Sequence, residues 1–557
     1  MALHSTMPAL RLKAAGFLLF LALLAPALAQ PAPDPLRWGE RMYREGLLPS
    51  GAPMRAIQAQ GEPVPGTAYA CAGCHLRSGL GSEDERLTVP PINAARLFNP
   101  RYLIFPDLNG QERAELPAAA RDALRRPAYT EATLLKALRE GVDPAGHALK
   151  PAMPRYILDD PQAAALAGYL KGLCADLSPG VTGTTLRFAT VVTEGVPAQQ
   201  REAMLATLRH EVELHNMAYE RSIKRRYPAF AMKAMILPMR KWILDVWELK
   251  GAPDTWRSQL QARDQAAPAL ALVAGMTDLD WGPVHAFCQE RGIPCVLPLT
   301  EFPDRVHGGA CTIYFSGGYY AEGAAAGERA ADILQIRDGQ PKPQVIQVIQ
   351  DSREGRTMAQ GFREAMAQRG EPAALEVMAP EAALTGPFLA RLLAEHRGET
   401  ILALWTGPEV FPALAQLPAG AQAVQVFMSG LHLKESIWDL PEVARPFTLL
   451  TYPYRLPRPP NVKPGTSGPV LVLPPPAGDE LLVRARTHRA IQVLDEGVRG
   501  MARDFYRDNL LDRIGLIEDR TDTEYPRLNF SPGRPWLSTG SLLVQVTPGG
   551  AHSLEPR

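Results

Sequence analysis

The chain has 557 residues, with Lys+Arg and Asp+Glu both at 59, 46% hydrophobic and 21% charged residues. At roughly 150 residues per domain this predicts about three or four folding units, and it excludes a lone small domain, a disordered or collagen-like chain and a polytopic membrane protein. The balance of charge carries no electrostatic footprint for nucleic acid, and six cysteines are too few for a disulfide scaffold at this length.

Arg11 and Lys13 precede the apolar run Ala14 to Ala25 and the small-residue triplet Ala27-Leu28-Ala29. This order reads as a signal peptide over residues 1–29, and the run falls short of the about 20 apolar residues of a spanning helix. An uncleaved anchor is the alternative. Removal of these residues leaves a formal charge of −2, and the expectation is an exported, periplasmic chain that does not span the membrane.

Asp34-Pro35 reads as an N-cap followed by proline at the first helical position, opening a helix with Trp38, Met42 and Tyr43 on one side. Cys71-Ala72-Gly73-Cys74-His75 then sets two thiols three positions apart with a histidine directly after. That spacing lets both sulfurs bond the vinyl carbons of one haem while His75 ligates the iron. A structural disulfide or a redox dithiol is the alternative, but the approach Gly61-Glu62-Pro63-Val64-Pro65-Gly66 is turn-rich rather than strand-like. Met153 is the candidate for the second axial position, because Pro154 biases it toward an extended conformation; His147, six residues earlier, is its rival. Asp160-Pro161 opens a further helix, with Ala163, Leu166, Leu170 and Leu173 forming one stripe.

Residues 34–174 resemble a class I cytochrome c domain. The resemblance rests on Gly39 and Tyr43, on Cys71, Cys74 and His75, on Thr130 to Gly141, on Met153-Pro154 and on Tyr169-Leu170. It implies an all-α domain whose terminal helices cross beside one covalent haem c, with His75 and Met153 as axial ligands. The 78-residue separation of those two residues is long for the family, and Leu87 to Pro127 reads as an insertion of unassigned role.

Residues 175–184 are a turn-rich linker. Beyond it, ten short apolar runs alternate with helix-compatible stretches: 186–192, 231–237, 269–274, 295–299, 312–315, 345–349, 374–378, 401–405, 424–428 and 447–450. This pattern predicts βαβ units in two doubly wound lobes of parallel strands, lobe 1 at about 185–340 plus a C-terminal part and lobe 2 at about 341–480. Residues 185–548 are similar to a type I periplasmic binding protein of the branched-chain amino acid receptor kind. The local matches are Gln350 to Arg356, the late helix Ala485–Tyr506 and the ending Tyr525 to Gly533. Where that family carries a Gly-Gly turn and an acidic position, this chain has Asn216-Met217-Ala218 and the basic run Lys224-Arg225-Arg226, so no amino acid ligand is carried over.

Ligands of such sheets bind at the carboxyl ends of strands. This makes Thr277, Trp281, Thr300, Tyr319, Tyr320, Asp351, Ser352, Thr406, Glu409 and Ser429 the candidate solute contacts, helix capping being the alternative for each polar one. Trp405 reads as packing, and the run at 224–226 as solvated surface or partner docking. Cys288 and Cys295 are close enough for a bridge in an oxidising compartment, which leaves Cys174 and Cys311 to pair or remain thiols. The expected function is single-electron transfer by one haem c fused to a solute-binding module, with an unidentified periplasmic redox partner. A solute sensor whose lobe closure modulates the haem, and the cytochrome component of a periplasmic dehydrogenase, are the alternatives. Independent catalysis is not expected.

Overall fold

The computed structural model describes residues 34–58, 61–84, 87–102, 125–224, 239–305, 309–337, 339, 341–379, 384, 386–396, 398–416, 423–455, 470–471, 479–522, 525–530, 535–538, 540–547 and 553–556. The 1–29 leader, most of the 87–127 insertion, the run 231–237 and Arg225-Arg226 lie outside them. The chain divides into two compact units, Met1–Ala175 and Asp176–Arg557, a split at the start of the expected linker.

Unit 1 is built on capped helices. Asp34 accepts the Leu36 N–H (3.0 Å) at the start of α1 (Pro35–Glu45), and left-handed Gly46 ends it. One helical turn, α2 (Cys71–His75), carries the thiols and the histidine. Thr130 and Gly141 cap the two ends of α3 (Glu131–Glu140). The closing helix α4 (Asp160–Gly172) starts from Asp159 through a reciprocal capping box with Gln162, one residue before the expected cap. A small antiparallel sheet, β2 (Pro63–Pro65), β1 (Arg55–Ile57), β3 (Arg155–Ile157), is added to the helices. Helices α1 and α4 cross at Gly39, where a Cβ would fall 2.2 Å from the Ala165 carbonyl oxygen. Met42, Tyr43, Cys71, Leu134, Leu138, Leu166 and Leu170 share one core.

Unit 2 holds two doubly wound lobes. Lobe 1 has five parallel strands: β4 (Thr185–Thr193), β5 (Lys241–Leu249), β6 (Ala271–Val273), β7 (Cys295–Val296) and β8 (Thr312–Ile313), in spatial order β8-β7-β6-β4-β5. Helices α5 (Ala198–Lys224), α6 (Pro253–Ala266) and α7 (Gly282–Arg291) follow β4, β5 and β6. From Thr312–Ile313 the chain crosses into α8 (Gly318–Ile336), which packs in lobe 2. The crossover therefore lies near Gly317, ahead of the expected boundary at 340. In lobe 2, β9 (Gln344–Gln350), α9 (Arg353–Gln368), β10 (Leu375–Ala379), α10 (Gly386–Glu395), β11 (Thr400–Trp405), β12 (Ala423–Ser429) and β13 (Thr448–Tyr452) repeat the order, β10-β9-β11-β12-β13. The sheet is extended by β14 (Val470–Leu471) and by two C-terminal strands, β15 (Leu542–Val546) and β16 (Ser553–Pro556), which pair antiparallel. The C-terminal part thus serves both lobes, since α11 (Asp479–Gly500) and α12 (Arg507–Gly515) pack on lobe 1.

The central strands of both lobes are buried on both faces, which is why they read as apolar runs. The edge strands β5 and β10 are the exceptions: β10 leaves Leu375 and Met378 exposed, and β5 carries charge. Its Asp245 pairs with Arg187 at 2.6 Å and its Glu248 with Arg201, so charges interrupt the apolar run.

Candidate functional site

In unit 1 the turn Cys71–His75 places Cys71 and His75 in the interior and Cys74 at the surface. Burial pushes the Cys71 thiol up to about 12, against the lowering effect of the neighbouring Tyr156 hydroxyl. The chain after His75 folds back on itself: Gly81 donates to the His75 carbonyl (3.1 Å) and Ile92 to the Gly79 carbonyl (2.6 Å). This return delivers the Pro90 carbonyl to 2.9 Å from His75 Nδ1. A carbonyl only accepts, so Nδ1 carries the proton and Nε2 presents its lone pair. Burial holds the imidazole down to about 4, so the ring is neutral and ligand-competent at ordinary pH. Tyr43 of α1 donates to the Leu76 carbonyl (2.7 Å) and Tyr156 of β3 to the Tyr69 carbonyl (2.7 Å), tying both flanks of the turn to the core.

Met153 is partly buried against the same core as Cys71. Its N–H donates to the Lys150 carbonyl (3.0 Å) and its carbonyl accepts from Arg155, whose other amine reaches the Leu149 carbonyl (3.3 Å). His147 sits on an exposed turn with its ring 3.4 Å from Asp143 and its side chain 57% exposed. Burial favours the thioether over the imidazole.

In unit 2 the strand order switches direction between β4 and β6 and between β9 and β11, and the carboxyl ends there carry most of the candidate solute contacts. Thr193 donates to Asp278 (2.7 Å) and stands 3.2 Å from Thr277. Tyr319 and Tyr320 open α8; Tyr319 lies with its ring 5.1 Å from Phe302 and 6.1 Å from His432. Tyr320 donates to Glu364 at 2.8 Å. Several polar candidates are engaged in local turns: Ser352 caps α9 through the Gly355 N–H (3.1 Å), Thr300 accepts from Phe302 (3.1 Å) and Glu409 accepts from Gly407 (2.8 Å). Asp351 is exposed and paired with Arg356. Ser429 is buried, accepts the His432 N–H (2.9 Å) and bonds Glu322. Thr406 is buried, and its hydroxyl has no hydrogen-bond partner among the described residues. Trp281 is fully buried in the lobe 1 core beneath Gly275, which removes it from the cleft. Trp405 packs as expected, its indole donating to Gln347 (2.7 Å).

Sequence reading missed Glu322, Arg353, Phe302 and His432. Glu322 is fully buried, and desolvation pushes its carboxyl up to about 8 against the Ser429 hydroxyl. One local signal was available for Arg353: a cation in the first turn of a helix opposes the helix dipole. The expected Cys288–Cys295 bridge is two thiols buried in one cluster, and neither Cys311 nor Cys174 is in a disulfide among the described residues. Spacing brought the first two together but does not make the bond.

Residues 58–173 match the cytochrome c family. The match takes in Cys71, Cys74, His75 and Met153 and begins after α1. Comparison with curated proteins finds no match. Among solved structures, the chain is similar to an ABC transporter substrate-binding protein from Sphaerobacter thermophilus (16% identity, 67% of this chain, 96% of that chain, TM-score 0.45). It is also similar to an ABC-type branched-chain amino acid transporter from Rhodopseudomonas palustris (14%, 67% and 95%, 0.44). A third is a periplasmic binding protein type 1 from Bordetella pertussis (15%, 67% and 100%, 0.42).

The cytochrome region's donor set fits the haem c its family implies. Two thiols share one helical turn with a neutral imidazole whose outer nitrogen is hydrogen-bonded and whose inner nitrogen is free to ligate. No helix among the described residues is long and apolar enough to cross a membrane.

Proposed function

We propose that this protein is an extracytoplasmic electron carrier in which one haem c, held by Cys71 and Cys74 and ligated by His75 and Met153, is fused to a solute-binding module. The observation that carries the reading is the His75–Pro90 hydrogen bond, which fixes the tautomer and orientation a proximal ligand needs. The haem supplies a one-electron couple when bound. The chain's own part is to hold it. Cys71 and Cys74 would anchor its edge, the Pro90 carbonyl keeps the Nδ1 proton and so the basicity of Nε2, and the Arg155 bond to the Met153 carbonyl steadies the turn that would present the thioether. A thioether opposite imidazole raises the reduction potential relative to two imidazoles. With His75 and Met153 both holding the iron, the site would favour electron shuttling over oxygen or peroxide activation.

The solute-binding part is supported by two sheets of one strand order, whose carboxyl ends carry Thr277, Tyr319, Thr406 and Ser429. The redox partner acts in the same exported compartment. Reduction of the purified protein with ascorbate tests the reading: a reversible haem absorbance change without substrate turnover is expected, and a haem-free or redox-inert product would end it.

A further inference from the structure

Arg353 opens α9 of lobe 2, yet its side chain reaches the Leu279 carbonyl of lobe 1. Its guanidinium donates to the Leu279 carbonyl at 3.2 Å and lies 3.4 Å from the centre of the Phe302 ring. Asp278 and Asp280 of lobe 1 are its electrostatic neighbours, together with Glu354 on its own helix and the Tyr319 phenol. A cation in the first turn of a helix is opposed by the helix dipole, so its position is not explained by α9 itself. Phe302 belongs to a short strap between the lobes, residues 301–305, and its ring packs on the lobe 2 core beside Tyr319; the strap is gripped at three points. Glu301 pairs with Arg486 of α11 at 2.5 Å on the lobe 1 side. Arg305 pairs with Glu364 of α9 at 3.0 Å and lies 3.1 Å from the centre of the Tyr320 ring on the lobe 2 side. Arg353 closes the middle.

We propose that Arg353 is a clasp: its guanidinium occupies a cation seat made by the Leu279 carbonyl, the Phe302 ring and the flanking Asp278 and Asp280, and this contact holds the two lobes together without a solute. Opening of the cleft requires the guanidinium to leave its seat. The inference needs only the two-lobed fold and is independent of the haem.

The test is hydrogen exchange on the full-length protein, comparing Arg353→Ala with the parent over residues 277–282 and 299–305, with the lobe 2 core strand 344–350 as control. Loss of one cation–π contact and one charged hydrogen bond predicts about tenfold faster exchange in both segments and none in the control. Millimolar guanidinium chloride restores slow exchange to the variant, whereas sodium chloride at the same concentration does not. Unchanged exchange in both segments, or acceleration that guanidinium leaves in place, overturns the proposal. Should Arg353→Ala also loosen 344–350, Phe302→Leu decides: it keeps the arginine and removes the ring, and parent-like exchange over 277–282 in that variant refutes the seat.

Discussion

Two glycine-to-alanine changes on the crossing helices of unit 1 should act in opposite directions. Gly39 lies where α1 meets α4: an added Cβ would be 2.2 Å from the Ala165 carbonyl oxygen and 2.6 Å from the Tyr169 Cβ. Both neighbours are backbone or fixed to it, so no rotamer change relieves the clash and the helices must part. Overpacking of this kind costs about 1–3 kcal/mol or more, which exceeds the about 1 kcal/mol that alanine gains over glycine inside a helix. Gly168, on α4 of the same unit, would place its Cβ 3.8 Å from Leu36 Cδ2, an ordinary contact. Gly168→Ala should therefore stabilise by about 0.5–1 kcal/mol through lost backbone entropy in the unfolded chain. Urea unfolding of the full-length protein, followed by exchange of the 35–45 and 160–172 amides, reads both. Equal stabilisation by the two substitutions would refute the crossing at Gly39.

Glu322 makes lobe 2 sensitive to alkali. Its folded pKa of about 8 stands above the unfolded value near 4.3, so the native state keeps a proton that the unfolded chain gives up; stability is full below about pH 4 and falls as pH rises through about 8. Glu322→Gln should remove several kcal/mol of that slope, and unit 2 unfolding curves at pH 5.5 and 8.5 with the same slope in parent and variant would contradict it. Trp405→Phe leaves the buried Gln347 oxygen unpartnered and should destabilise lobe 2 by about 1–3 kcal/mol in chemical unfolding. Met153→Ala should retain covalent haem but let added imidazole bind the iron, while His147→Ala behaves as the parent; the reverse pattern in a spectroscopic titration would move the second axial ligand to His147.

Much of this architecture was legible because it follows from local chemistry. Asp34-Pro35 and Thr130 with Gly141 mark helix ends by capping, and the spacing at 71–75 puts the two thiols and the histidine on one turn. Lobe strands buried on both faces announce themselves as apolar runs, as at 345–349 and 401–405. Strand β5 escaped because Asp245 and Glu248 sit in it, their charges met by Arg187 and Arg201 on elements distant in sequence. The crossover near Gly317 escaped because α8 has the same composition whichever lobe it packs against. Only packing separates Trp281, fully buried, from Phe302 and Arg353, whose pairing joins residues 51 positions apart. Glu322 could not be found by pattern, since a lone carboxylate on a helix reads as surface.

The central claim is that Cys71 and Cys74 carry one haem. Mass spectrometry of the peptide spanning Cys71–His75 from exported protein tests it most directly: the account predicts the peptide mass raised by one haem with neither thiol open to alkylation. An unmodified peptide with two alkylatable cysteines, from material matured in a host able to attach haem, would contradict it.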